Sequence, residues 1–125
     1  MKLSMILPST PVELETSEGV VELNVTEFTV ADGERREKLI RPIFNDENVS
    51  YIEKLNAFNI ARIMCALKDT DGNYYFHGDD ITWVRGKLGK NLADALAQLV
   101  DELNPLPVPP SSDDEKESAL DAKKN

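Results

Sequence analysis

The stretch Lys90–Asn104, KNLADALAQLVDELN, decides the reading of the fold. Leu92, Ala95, Leu96, Leu99, Val100 and Leu103 recur at i, i+3, i+4, i+7, i+8 and i+11. A helix therefore gathers them into one apolar stripe opposite Lys90, Asp94, Gln98 and Asp101. Burying such a stripe is worth several kcal/mol, at about 25 cal/mol per Å² of apolar area. The pattern predicts an amphipathic helix that needs a second apolar surface to lie on.

Working upstream, Asp79 or Asp80 can cap a shorter helix carrying Ile81, Trp83, Val84 and Leu88, with Gly89 expected in the left-handed position that stops it. Asp69-Thr-Asp-Gly-Asn73 is a turn sequence, and Tyr74, Tyr75 and Phe76 after it favour extended backbone. Ser50 is placed to cap a long helix reaching Lys68. Its Ile52, Leu55, Phe58, Ile60, Ile63, Met64 and Leu67 cover more than half the circumference, which marks a helix central to its domain or covered by a partner. A first helix is expected over Val30–Arg41, opened by Thr29 with Asp32 in a capping-box spacing and ended or bent by Pro42. From Gly19 to Thr29 the period changes: Val21, Leu23 and Val25 alternate with polar residues, as in a half-buried strand. The expected fold is mainly α, a small helical domain of about four helices with a short N-terminal strand or hairpin. Residues 1–18 are expected to be irregular, 19–104 to form the helical domain, and 105–125 to be a proline-rich linker with a flexible charged tail.

The bulk composition fits one core. A chain of 125 residues has room for about 80 to 100 packed residues and little more. Aromatic residues are only 6%, so aliphatic side chains must fill it. A formal charge of −9 with scattered Lys and Arg lacks the basic footprint of a nucleic-acid binder. Met1–Leu7 is too short for a signal peptide and Pro8 interrupts it. No run approaches the roughly 18 apolar residues of a membrane helix. A soluble, intracellular protein is expected, without nucleic acid or membrane as partner.

Residues that carry chemistry are few. Asp69, Asp71, Asn73 and Asp80 stand at positions 1, 3, 5 and 12 of a calcium loop, with Phe76 at the apolar position 8. Tyr74 replaces the glycine such a loop needs, and Asp80 the longer Glu, which favours a plain Asp-Gly turn. His77 is the single histidine. Asp79 and Asp80 could orient it as a base, yet no nucleophile lies close in sequence, and an exposed turn residue is the simpler reading. Cys65 is single and sits in an apolar stretch, as a small core residue in a reducing compartment does. Trp83 reads first as core and second as a binding anchor. No residue is assigned a catalytic, cofactor-binding or metal-ligating role, no cofactor is implied, and the partner-facing residues are left unassigned. An enzyme is not expected.

The segment LKDTDGNYYFHGDDITWVRGKLGKNLADALAQLVDELNPL (67–106), followed by a tail closing in ALDAKKN, resembles the tail assembly chaperones of long-tailed bacteriophages. An apolar helix, an Asp-Gly-Asn turn leading to an aromatic residue, an acid-capped helix, a leucine-striped helix and a charged tail come in that family's order. The resemblance covers roughly Val20 to Asn125. It implies a protein of the host cytoplasm that binds the tape-measure protein and the major tail protein during tail morphogenesis and is absent from the finished virion. It further implies self-association, and association with a longer form made by ribosomal frameshifting. With an Ala122 codon ending in A, Lys123-Lys124 could be encoded by A-AAA-AAG, a slippery heptamer. The alternative, motivated by a pI of 4.6, is a small acidic inhibitor or DNA mimic that binds a host enzyme.

Overall fold

The computed structural model describes residues 1–106. In chain order it holds β1 (Ser9–Thr16), β2 (Gly19–Thr26), α1 (Val30–Phe44), α2 (Tyr51–Ala66), β3 (Leu67–Lys68), α3 (Ile81–Arg85) and α4 (Lys90–Leu103). The strands form one antiparallel sheet in the order β1-β2-β3. The expectation of a mainly α fold is thus corrected: this is a small α+β domain.

The stretch expected to be irregular supplies the overlooked strand. In β1, Thr10, Val12, Leu14 and Thr16 alternate with Pro11, Glu13 and Glu15. Pairing of Val12 with Leu23 and Leu14 with Val21 turns the apolar set to one face. The hairpin turn at Ser17-Glu18 is built by a hydroxyl. Thr16 Oγ1 donates to the Gly19 carbonyl at 2.8 Å and accepts from the Glu18 N–H at 3.2 Å. Gly19 closes the turn at φ 125°, where a side chain would be strained.

Both long N-terminal helices begin at full capping boxes, Thr29 with Asp32 and Ser50 with Glu53. Helix α1 runs through Pro42 to Phe44, beyond the expected stop at Arg41. A proline in the last turn forfeits one backbone bond, and Asn45 N–H still reaches the Arg41 carbonyl at 3.0 Å. Helix α2 stops at Ala66, short of the expected Lys68, because Leu67 and Lys68 leave it to pair with Val25 and Asn24. Helix α3 is shorter than expected and ends at Gly86. Gly89, expected to stop it in a left-handed conformation, instead precedes α4 with φ −65°. The Asp-Gly turn stands as read, with Gly72 at φ 85°.

Helix α2 is the hub. Its Ala57, Ile60, Ile63 and Met64 are buried against Leu39 and Ile40 of α1, Ile81 and Val84 of α3, Leu96 and Val100 of α4, and the sheet's Leu23 and Val25. Of the leucine stripe on α4, Leu96 and Val100 are fully buried, while Leu92, Leu99 and Leu103 are half-buried. The helix packs on α2 and β2, so the side of its stripe nearest β1 is left open. A polar clamp fixes its C-terminus. Arg62 donates to Asp101 at 2.9 Å and to the Asn104 carbonyl at 2.8 Å. Asn104 in turn accepts from Phe28 N–H at 2.7 Å and donates to the Thr26 carbonyl at 3.1 Å. From residue 107 onward, the linker and tail expected over 105–125 lie outside the described residues.

Candidate interaction surface

After the turn, Tyr74 bridges back to Lys68, and Tyr75 N–H donates to the Leu67 carbonyl at 3.0 Å, so the aromatic run starts as an extension of the sheet. The chain then swings out through His77 to α3, where Asp80 caps the helix by accepting from Trp83 N–H at 3.0 Å. Arg35 of α1 props this excursion. It donates to the carbonyls of Met64 at 2.7 Å, Phe76 at 2.7 Å and Gly78 at 2.9 Å, and lies 4.1 Å from the centre of the Tyr74 ring. One guanidinium therefore joins three segments that are remote in sequence.

Between the propped loop and α3 lies a cavity of about 470 Å³, lined by Tyr75, Phe76, His77, Asp80, Trp83 and Val84. Val84 is buried at its floor, whereas Trp83 is 56% exposed on its rim with the Lys87 ammonium 5.5 Å from its ring centre. A second apolar area is formed where α1 ends and α2 begins, by Phe44, Tyr51, Ile52 and Leu55, all exposed. Large exposed apolar side chains grouped in this way mark binding surfaces more often than accidents of composition.

The root of the cleft is held by a buried ion pair. Asp32 accepts from Tyr74 Oη at 2.5 Å, Thr29 N–H at 2.9 Å and Lys68 Nζ at 3.1 Å. Burial pushes the Asp32 carboxyl up, but these three donors together outweigh it and hold the group below the ordinary aspartate range. The Tyr74 hydroxyl is pushed up to about 12, first by burial and then by its bond to the Asp32 charge. Each partner favours the other's present protonation state, so the cleft wall keeps its anchorage across the neutral range.

The residues singled out in the sequence fall into place around this frame. Asp69 Oδ1 accepts from Asp71 N–H and Asn73 N–H, both at 2.9 Å, so its carboxylate builds the turn. Asp80 is occupied as the α3 cap. Among the described residues no group of three His, Cys, Asp or Glu side chains is placed to hold a metal ion. His77 and Asp79 are exposed on the cleft loop. Cys65 is fully buried in α2, and burial pushes its thiol up to about 11. Trp83, read first as core, stands on the surface. The cleft was not legible beforehand because Arg35, which shapes it, carries no sequence signal. The aromatic run Tyr74–Phe76 with Trp83 shortly after it was the available hint.

The described residues define a small α+β domain, four helices and a three-stranded sheet, whose surface carries an apolar cleft with an aromatic rim. Among solved structures, the tail assembly chaperone of bacteriophage HK97 has a similar fold, with a TM-score of 0.50 and 23% sequence identity over 76% of this chain and 84% of that one. The chain thus has a fold like that of a phage tail assembly chaperone. No protein-family model matches it, and no curated protein matches it in sequence. Among the described residues no helix is long and apolar enough to cross a membrane.

Proposed function

We propose that this protein is a tail assembly chaperone of a long-tailed bacteriophage. On this reading it binds the tape-measure protein in the host cytoplasm, keeps it soluble, helps to recruit the major tail protein, and leaves before the virion is complete. The observation that carries the reading is the fold shared with the HK97 chaperone, which agrees with the order of motifs in residues 67–106.

The chemistry of the cleft supports it. A tape-measure protein is long, helical and apolar, and it is prone to aggregate until a tube surrounds it. An apolar cleft with a tryptophan on its rim accepts large aliphatic or aromatic side chains from one face of such a helix. Each contact is weak. Copies that self-associate along the client multiply those contacts into avidity, and a net charge of −9 keeps the loaded complex in solution. Association with a frameshifted longer form and the absence of catalysis belong to the same reading.

Co-expression with the long open reading frame downstream of the gene tests it. The expected result is a soluble complex that co-purifies, and its loss in Trp83→Ala while the variant's own circular dichroism is unchanged. A client that stays insoluble with and without the protein overturns the reading. Displacement of the protein from a DNA-processing enzyme by DNA would instead favour the acidic-inhibitor alternative.

A further inference from the structure

Residues Met1–Leu7 form an apolar arm that nothing in the fold covers: Met1, Leu3, Met5 and Ile6 are 84–111% exposed. Its sequence has the period of a strand. Met1, Leu3, Met5 and Leu7 alternate with Lys2 and Ser4, and only Ile6 breaks the polar set. The arm cannot easily fold back on its own sheet. Pro8 carbonyl accepts from Glu27 N–H at 3.0 Å, which holds the chain in line with β1 up to the arm's root.

The other half of the match lies on β1. It is an edge strand, and the Glu27–Pro8 bond sets the phase of the ladder: even-numbered residues of β1 exchange bonds with β2. The N–H and C=O groups of Ser9, Glu13 and Glu15 therefore face away from the sheet, as does the carbonyl of Pro11. Beside that edge, and continuous with it, runs an apolar groove of about 180 Å³ between β1 and α4, to which Val12, Leu14, Leu92, Ala95 and Leu99 contribute. This is the open side of the leucine stripe.

We infer that the arm of one copy adds as a strand to the β1 edge of a second copy, laying Met1, Leu3, Met5 and Leu7 over the groove. Charge supports this occupant. A strand with those residues inward turns Lys2 to the opposite face of the sheet, which carries Glu13, Glu15 and Glu22. Glu13 and Glu22 are directly paired across the strands, a like-charge contact that an added cation relieves. Pro11 lacks a donor, so the incoming strand pairs chiefly along Glu13–Thr16. The contact is head-to-tail: arm and edge are different surfaces, so every copy that donates an arm still offers an edge, and the arrangement propagates into a ring or an open array.

The inference deepens the self-association in the proposed function and is tested apart from the client. Light scattering on the full chain, with a paired variant Leu3→Asp/Met5→Asp, reads the assembly. The wild type is expected to exceed the 14.0 kDa of one chain. The variant, with unchanged circular dichroism, is expected to lose association by roughly 100-fold or more. Mixing Lys2→Cys with Glu15→Cys, which the inference places on one face of the sheet, and adding a short bis-maleimide should yield cross-linked pairs of the two, since buried Cys65 does not compete. Assembly of the aspartate variant equal to wild type, a monomeric wild type at high concentration, or cross-linking no greater than for Lys2→Cys mixed with a cysteine on the far side, Lys54→Cys, overturns the inference. The first of these results leaves the chaperone reading intact, whereas failure to solubilise a client leaves the arm interface intact.

Discussion

Replacing Tyr74 by Phe removes one oxygen and leaves its ring in place against Arg35. That oxygen donates to Asp32, which is 3% exposed and keeps only the Thr29 amide and Lys68 as donors once the hydroxyl is gone. A hydrogen bond to a buried charge is worth about 1.5–3 kcal/mol, so a loss of about 2 kcal/mol is expected. For a domain of this size that lowers Tm by about 10 °C and removes a sizeable share of a total stability on the order of 5–15 kcal/mol. The pH dependence gives a second check. The folded-state carboxyl of Asp32 lies below the ordinary aspartate range, so its stabilising contribution is present above that range and is lost as pH falls through the folded value. Removing the hydroxyl raises the folded value. The gap between wild type and Tyr74→Phe should therefore be full at about pH 7 and narrow as the solution is taken below about pH 4. Urea titrations of both proteins across that range measure it. Equal midpoints at neutral pH, or a gap that stays constant into acid, would refute the assignment of Asp32 as a buried, donor-stabilised anion.

Three further outcomes follow from the same geometry. Asn104→Ala strips the acceptor of Phe28 N–H and the donor to the Thr26 carbonyl. It should cost about 2 kcal/mol in urea unfolding, with Asn104→Asp recovering part of the loss through the retained acceptor. The Cys65 thiol, buried and pushed up to about 11, should react with a maleimide only as fast as the domain opens, so that labelling accelerates with urea; rapid labelling in buffer would contradict the burial. Calcium at millimolar concentration should produce no heat in calorimetry and no change in circular dichroism. Asp69 and Asp80 are already engaged by backbone amides, and a saturable heat signal would show that the turn reorganises around an ion.

Much of the fold was legible in the residues themselves, because the signals involved act over one or two turns of chain. Thr29 with Asp32, and Ser50, announced helix starts through side-chain and backbone bonds that need nothing beyond four residues. The Leu92–Leu103 stripe announced α4, and Gly72 the turn at Asp69–Asn73. Where the reading went astray, the deciding partner was distant or of an unusual kind. Strand β1 has the right alternation, yet Pro8, Pro11, Glu13 and Glu15 disguise it, and a threonine hydroxyl replaces the Asn-Gly signal of most tight hairpins. Helix α2 ends early only because β2 is waiting to pair with Leu67 and Lys68.

By itself, then, the amino-acid sequence determined where the helices lie, the caps at Thr29 and Ser50 and the order of motifs that resembles the tail chaperones, since periodicity and capping are local physics. Tertiary structure alone decided that the domain is α+β, that Trp83 stands on a cleft instead of in the core, and that half of the α4 stripe faces an open sheet edge. The reason is that these depend on contacts between segments tens of residues apart, Arg35 with Phe76, Asp32 with Lys68, Val25 with Leu67. No pattern within a single segment encodes which distant group will meet it.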